Sequence, residues 1–271
     1  MRITQHRVKF GFIARIGAVY REISVAMPEP VTPLQGQVFP LGVRIWLVRC
    51  ADVPPESMAC LSREECLRHA ALRQPADQRR FAATRAALRG LLGQELGIAP
   101  AAVRFGTHPR GKPFVESSTD GTPDASHIVF NASHAGDYAL IAIGRLDDTD
   151  KGTGLGIDIE WTDAQVDIDG LAPLVLSPVE VARLPGGHTE RRAAFYRIWT
   201  AKEAFFKAVG DGIGDQLPCV SVWPPACGED VLTAMSSDAR LATWAQRMTL
   251  HGVEVPDGYV ATLAVFRGTG G

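Results

Sequence analysis

Residues 154–161 read GLGIDIEW and residues 193–210 read AAFYRIWTAKEAFFKAVG, and the fold turns on these two stretches. Strand side chains alternate, so Asp158 and Glu160 leave one face of the first stretch while Ile157, Ile159 and Trp161 leave the other. In the second, Phe195, Ile198, Trp199, Phe205 and Phe206 recur at helical spacing and mark a buried stripe. Glu203 and Lys207 share one helix face, and Gly210 and Gly212 are placed to stop the helix. With YVATLAVF (259–266) as a closing strand beyond a Pro- and Gly-rich interruption at 209–230, this half reads as an α+β unit.

Upstream the theme recurs. VRIWLVRC (43–50) reads as a strand, 62–72 as a helix opened by Ser62, and RRFAATRAALRGLLGQEL (79–96) as an amphipathic helix ended by Gly97. HIVFNAS (127–133) and DYALIAIG (137–144), joined by HAG, give a hairpin signal. The expected organisation is an N-terminal α+β lobe over 43–150, a C-terminal α+β lobe over 151–266 and a flexible tail over 267–271. Residues 1–42, with the Pro-rich tract MPEPVTPLQGQVFPLG, read as a partly disordered extension in which Met27 is an alternative start.

A net charge of −2 gives no electrostatic reason to bind nucleic acid or an anionic membrane. Five cysteines without CxxC spacing indicate neither a disulfide framework nor a zinc site, and no apolar run reaches spanning length, so a cytoplasmic protein is expected. Only five of the 28 basic residues are lysine, among them Lys112, Lys202 and Lys207.

Two carboxylates on one strand face suit a hard cation, because Mg²⁺ takes oxygen ligands and is typically held by one or two carboxylates together with substrate phosphates. Taken alone, Asp158 and Glu160 read more readily as a solvated edge, and Glu203 with Lys207 as an ordinary helix pair. FNASHAG (130–136) ends a strand in Ser133 and His134, donors to an anion, where a lone turn histidine is more often just solvated. RGKP (110–113) presents Lys112 on a turn stiffened by Pro113. Arg80 and Arg85 are phosphate-binding candidates, against a solvated helix face.

Together, GIDIE, WTAKEAFFKA, FNASH and RGKP stand in the order and spacing of the long, surfactin-synthetase-activating type of phosphopantetheinyl transferase, which the chain resembles over residues 43–266. The resemblance implies two similar α+β lobes forming an intramolecular pseudo-dimer, with coenzyme A bound between them. It implies transfer of 4′-phosphopantetheine from coenzyme A to a serine of an apo acyl or peptidyl carrier protein, leaving 3′,5′-ADP. Asp158, Glu160 and Glu203 match the residues that hold Mg²⁺, with Mn²⁺ as the alternative, and Glu203 matches the general base. Lys202 and Lys207 match the lysines flanking that acid, with Lys207 at the pyrophosphate, and His134 matches a phosphate contact beside Ser133. Arg80 matches the 3′-phosphate end, and Lys112 with Pro113 the turn near adenine. Ala132 and the insert DDTDKGTG (147–154) depart from the pattern without removing a charged group. A monomer is expected, since a pseudo-duplicated chain builds the interlobe site alone. The open rivals are a Mg²⁺-dependent phosphatase or pyrophosphohydrolase and a non-catalytic carrier-binding paralogue.

Overall fold

The computed structural model describes residues 31–51, 54–117, 124–147, 152–163, 166–210, 212, 214–223 and 231–268. The first half runs β1 (Val31–Pro33), β2 (Arg44–Arg49), α1 (Arg63–Ala71), α2 (Pro75–Leu96), β3 (Phe105–Thr107), β4 (Pro113–Val115), β5 (Ile128–Ala135) and β6 (Tyr138–Arg145). The second runs β7 (Gly154–Trp161), α3 (Ile168–Val175), α4 (Pro178–Arg183), α5 (His188–Val209), β8 (Val220–Trp223), β9 (Val231–Ser236), α6 (Ala239–Ala245), β10 (Met248–Val253) and β11 (Tyr259–Phe266).

Two antiparallel sheets result, ordered β1-β2-β6-β5 and β7-β11-β10-β9-β8, with β3 and β4 a separate ribbon. Each sheet carries one 22-residue helix, α2 on the first and α5 on the second, and each helix closes on a left-handed glycine, Gly97 (φ 68°) and Gly210 (φ 78°). Ser62 caps α1 reciprocally with Glu65, as the sequence predicts from its opening serine. The α+β reading of both halves therefore holds.

Three cores follow from strand periodicity. Ala139, Ile141 and Ile143 of β6 face α2, with Leu88, Leu91 and Leu92 opposite. Leu140 and Ala142, on the other face of β6, join Ile45, Leu155, Ile157, Ile159, Leu263 and Val265 in a core between the two sheets. Phe195, Tyr196, Phe205 and Phe206 of α5 fill the third. Each leucine, isoleucine, valine or phenylalanine among them, fully buried, contributes roughly 1.5–3 kcal/mol. The central core makes the lobes a single packed body in which edge strands β5 and β7 lie against each other.

One expectation is corrected. The folded part begins upstream of Val43: β1 pairs with β2, Phe39 is buried against His251 of β10, and Gln37 donates to the Gly252 carbonyl and accepts from the Glu254 amide. A proline-rich tract makes these contacts through side chains and a short edge strand, which helix and strand periodicity do not register. Residues 1–30, the tail residues 269–271 and residues 148–151 of the insert lie outside the described residues.

Candidate active site

The site forms where β7 meets α5. Since Leu155, Ile157 and Ile159 point into the central core, Gly154, Gly156, Asp158 and Glu160 necessarily face the helix. The two glycines let the backbones touch: a Cβ on Gly156 would lie 2.0 Å from the Ala204 carbonyl oxygen, and one on Gly154 2.1 Å from that of Ala208. This approach brings Asp158, 2 % exposed, under Lys207. Lys207 Nζ stands 2.5 Å from Asp158 Oδ1, 3.1 Å from Ser133 Oγ and 4.0 Å from Glu203 Oε2.

Strand β5 closes the other side. Ser133 Oγ donates to Asp158 Oδ1 at 2.8 Å, and the Asn131 side-chain oxygen accepts from the Ile157 amide at 2.8 Å, so β5 and β7 are stitched side chain to strand. His134 follows at the strand end. Partial burial lowers its pKa, reinforced by the Arg80 and Lys207 charges nearby, so at neutral pH it offers a neutral imidazole rather than a cation. Arg80 ion-pairs with Asp77 and donates to the Gly136 carbonyl at 3.1 Å, just past His134.

Electrostatically the pocket is strained toward a cation. Burial, followed by the nearby Asp158 and Glu203, pushes the Glu160 carboxyl up to about 7. Burial and then Asp158 raise Glu203, whose Oε1 accepts from Trp199 Nε1 at 3.3 Å. Burial raises Asp158 against the opposing pull of Lys207, and its Oδ2 is buried without a hydrogen-bond partner. An orphaned carboxylate oxygen beside two mutually repelling acids suits a divalent ion. Among the described residues no group of three or more acidic, imidazole or thiol side chains is arranged to hold a metal ion by itself.

The remaining candidates lie elsewhere. Lys202 is not brought to this site: it is fully buried on the far side of α5, 2.5 Å from Glu180 Oε2 and donating to the Val175 and Leu217 carbonyls. One residue along a helix turns the side chain by about 100°, and that rotation separates Lys202 from Glu203. Lys112 places its ammonium between the Leu155 and Ala208 carbonyls at 2.9 and 2.8 Å, and burial draws its pKa down to about 8. It therefore bolts the RGKP turn to β7 and α5, and Pro113 opens β4 beside it. Arg85 sits 3.6 Å from Glu65, between the Phe81 and Phe105 rings, in a cleft of about 550 Å³. Arg63, Arg68 and Arg104 line the same cleft, with Pro113 at its edge. Sequence reading missed these three because two come from α1 and one from the approach to β3, and they carry no local motif.

A family model described as the 4′-phosphopantetheinyl transferase superfamily matches residues 154–264, and one described as 4′-phosphopantetheinyl transferase, N-terminal, matches residues 55–145. The chain is 36 % identical to the 4′-phosphopantetheinyl transferase HetI of a Nostoc species, over 63 % of this chain and 70 % of that protein. It is 30 % identical to a 4′-phosphopantetheinyl transferase of Bacillus subtilis over 50 % of this chain and 54 % of that one. A phosphopantetheinyl transferase of a Thraustochytrium species is 28 % identical over 65 % and 63 %. The two models together run through both lobes, and the superfamily model takes in the seam strand that bears Asp158 and the helix that bears Glu203 and Lys207: the chain belongs to the 4′-phosphopantetheinyl transferase superfamily.

Proposed function

We propose that this chain transfers 4′-phosphopantetheine from coenzyme A to a serine hydroxyl of an apo acyl or peptidyl carrier protein, releasing 3′,5′-ADP, and that it does so at the β5–β7–α5 seam. The observation that carries the reading is the Lys207, Asp158 and Ser133 constellation, with Glu203 and Glu160 beside it and His134 and Arg80 next in line. Such a set grips a pyrophosphate and keeps a carboxylate free for a proton. Asp158, Glu160 and Glu203 would hold Mg²⁺, which when bound supplies charge neutralisation at the pyrophosphate.

Glu203 accepts the proton of the carrier serine hydroxyl, and its raised pKa suits that task. The serine oxygen forms a bond to the phosphorus that bears pantetheine, and the bond from that phosphorus to the bridging oxygen of 3′,5′-ADP breaks. Lys207 stabilises the charge left on the departing ADP, and Ser133 and His134 hold the phosphates in line. The arginine cleft beside the RGKP turn offers the nucleotide's 3′-phosphate fork-shaped donors. Arg80 and Lys112 support this end through the His134 turn and the bolt to β7. The chain acts as a monomer in the cytoplasm. Among the described residues no helix is long and apolar enough to cross a membrane.

The direct test is mass spectrometry of an apo carrier incubated with the protein, coenzyme A and Mg²⁺. A gain of one phosphopantetheine, lost with EDTA and in Asp158→Ala, is the expected outcome. Release of phosphate with no carrier modified would instead identify a hydrolase. For carrier docking, Trp161 (41 % exposed), Leu174 (65 %) and Val179 (48 %) present apolar surface within residues 161–185. Leu174→Asp is expected to raise the KM for carrier about tenfold and leave the KM for coenzyme A alone, since a charge at an apolar contact costs roughly 1–3 kcal/mol. Equal shifts in both constants would remove Leu174 from the docking face.

A further inference from the structure

The β5–β6 hairpin turns at Gly136 and Asp137, immediately after Ser133 and His134, and both lobes grip that turn. From its own lobe, the Cys50 amide donates to the Asp137 carbonyl at 2.7 Å and Arg80 donates to the Gly136 carbonyl at 3.1 Å. From the opposite lobe, Tyr259 of β11 brings its hydroxyl oxygen to 3.0 Å from the Asp137 amide and accepts that N–H. Its ring stands edge-on to Tyr138, centroids 5.1 Å apart at 87°. The fit leaves no slack: a Cβ on Gly136, whose φ is +53°, would lie 2.2 Å from the tyrosine hydroxyl.

The other end of this contact is fixed too. Tyr259 pairs with Trp161, and the next residue, Val260, pairs with Glu160, so the tyrosine rides on the strand registered against the acidic strand. The Thr162 amide donates to the Gly258 carbonyl at 2.8 Å, which pins the residue just before it. Along the strands, Ser133 and Asn131 already link this hairpin to β7; at the turn itself the Tyr259 hydroxyl adds a tie to the sheet that presents Asp158 and Glu160. Arg80 and Cys50 can hold the hairpin relative to α2 and β2, but they say nothing about its distance from the acids. Among the contacts named here, Tyr259 sets that distance at the turn.

We propose that Tyr259 is a positioning residue for coenzyme A: its hydroxyl fixes the phosphate-facing hairpin of one lobe against the acidic strand of the other. This rests on the transferase reading above. Deleting the hydroxyl leaves the Asp137 amide to water and lets the turn drift, so the two halves of the phosphate grip no longer meet the same ligand at no cost. Tyr259→Phe keeps the ring and its packing on Tyr138. The loss of one hydrogen bond to a preorganised turn predicts a three- to tenfold weaker grip on coenzyme A.

The test measures coenzyme A affinity by calorimetry, KM for coenzyme A, KM for carrier, kcat and melting temperature for wild type and Tyr259→Phe. Expected are a Kd and KM for coenzyme A raised about three- to tenfold, with kcat at saturation within about twofold, carrier KM unchanged and melting temperature within about 2 °C. Unchanged coenzyme A constants overturn the proposal. So does a fall in melting temperature with coenzyme A affinity intact, which would make Tyr259 a merely structural contact. A wild-type protein that binds coenzyme A but modifies no carrier would sink the transferase reading, while the calorimetric comparison would still judge the hairpin.

Discussion

Glu203→Gln is expected to fold like the wild type, to melt at or slightly above its temperature, and to lose about 10²- to 10⁴-fold in kcat, the usual worth of a positioned general base. The amide keeps the oxygen that accepts from Trp199, so the side chain stays where it is. It removes one of three carboxylates that repel one another, which accounts for the small gain in stability. What it cannot do is take a proton from the serine. Single-turnover transfer to an apo carrier, compared with the melting curve of the same preparation, separates the two effects. A variant within a fewfold of wild-type turnover would take Glu203 out of the proton transfer.

The largest stability effect is expected at Glu180 of α4, the partner of Lys202, which precedes Glu203 in α5. Glu180→Ala should lower stability by about 3–5 kcal/mol, because it strands the Lys202 ammonium in a dry interior. The same carboxylate accepts from the Val222 amide at 2.6 Å and from the Ser177 amide at 2.7 Å, so one truncation also unpairs a strand and a helix cap. For a protein of this size the loss corresponds to roughly 6–20 °C in melting temperature. Lys202→Met combined with Glu180→Gln should recover part of it, since replacing both members of a buried pair is far cheaper than removing one. A melting temperature within about 2 °C of wild type for the alanine variant would show that the pair carries little.

The contrast between neighbours on α5 shows what a sequence makes legible. Glu203, Lys207, Asp158 and Glu160 could be placed because helix and strand periods decide which residues share a face, and local arithmetic suffices for that. Lys202 could not, because its partners come from the end of α3, the cap of α4 and the turn before β8, none adjacent in sequence. Lys112 reads as a ligand on its turn, yet two carbonyls 43 and 96 residues away claim its ammonium. Tyr259 passed unremarked inside an apolar strand, since its partner at Asp137 lies 122 residues upstream. Residues 31–42 escape sequence reading for a related reason: proline content argues against regular structure and is silent about a strap held by Gln37 and Phe39. Periodicity reveals faces, whereas long-range hydrogen bonds to backbone have no signature in composition.

The core between the two sheets has one more consequence. Ser133 and Asp158 come from different lobes, and covalent linkage through a short connection keeps the partner of each permanently at hand. For a site shared between separate copies, dilution empties the site by mass action. Here the effective concentration of one lobe around the other is fixed by the tether and by the buried seam. The two halves differ in sequence and so need not be self-complementary: α2 carries Arg79, Arg80, Arg85 and Arg89, while β7 and α5 carry the acids, a division of labour closed to two identical subunits.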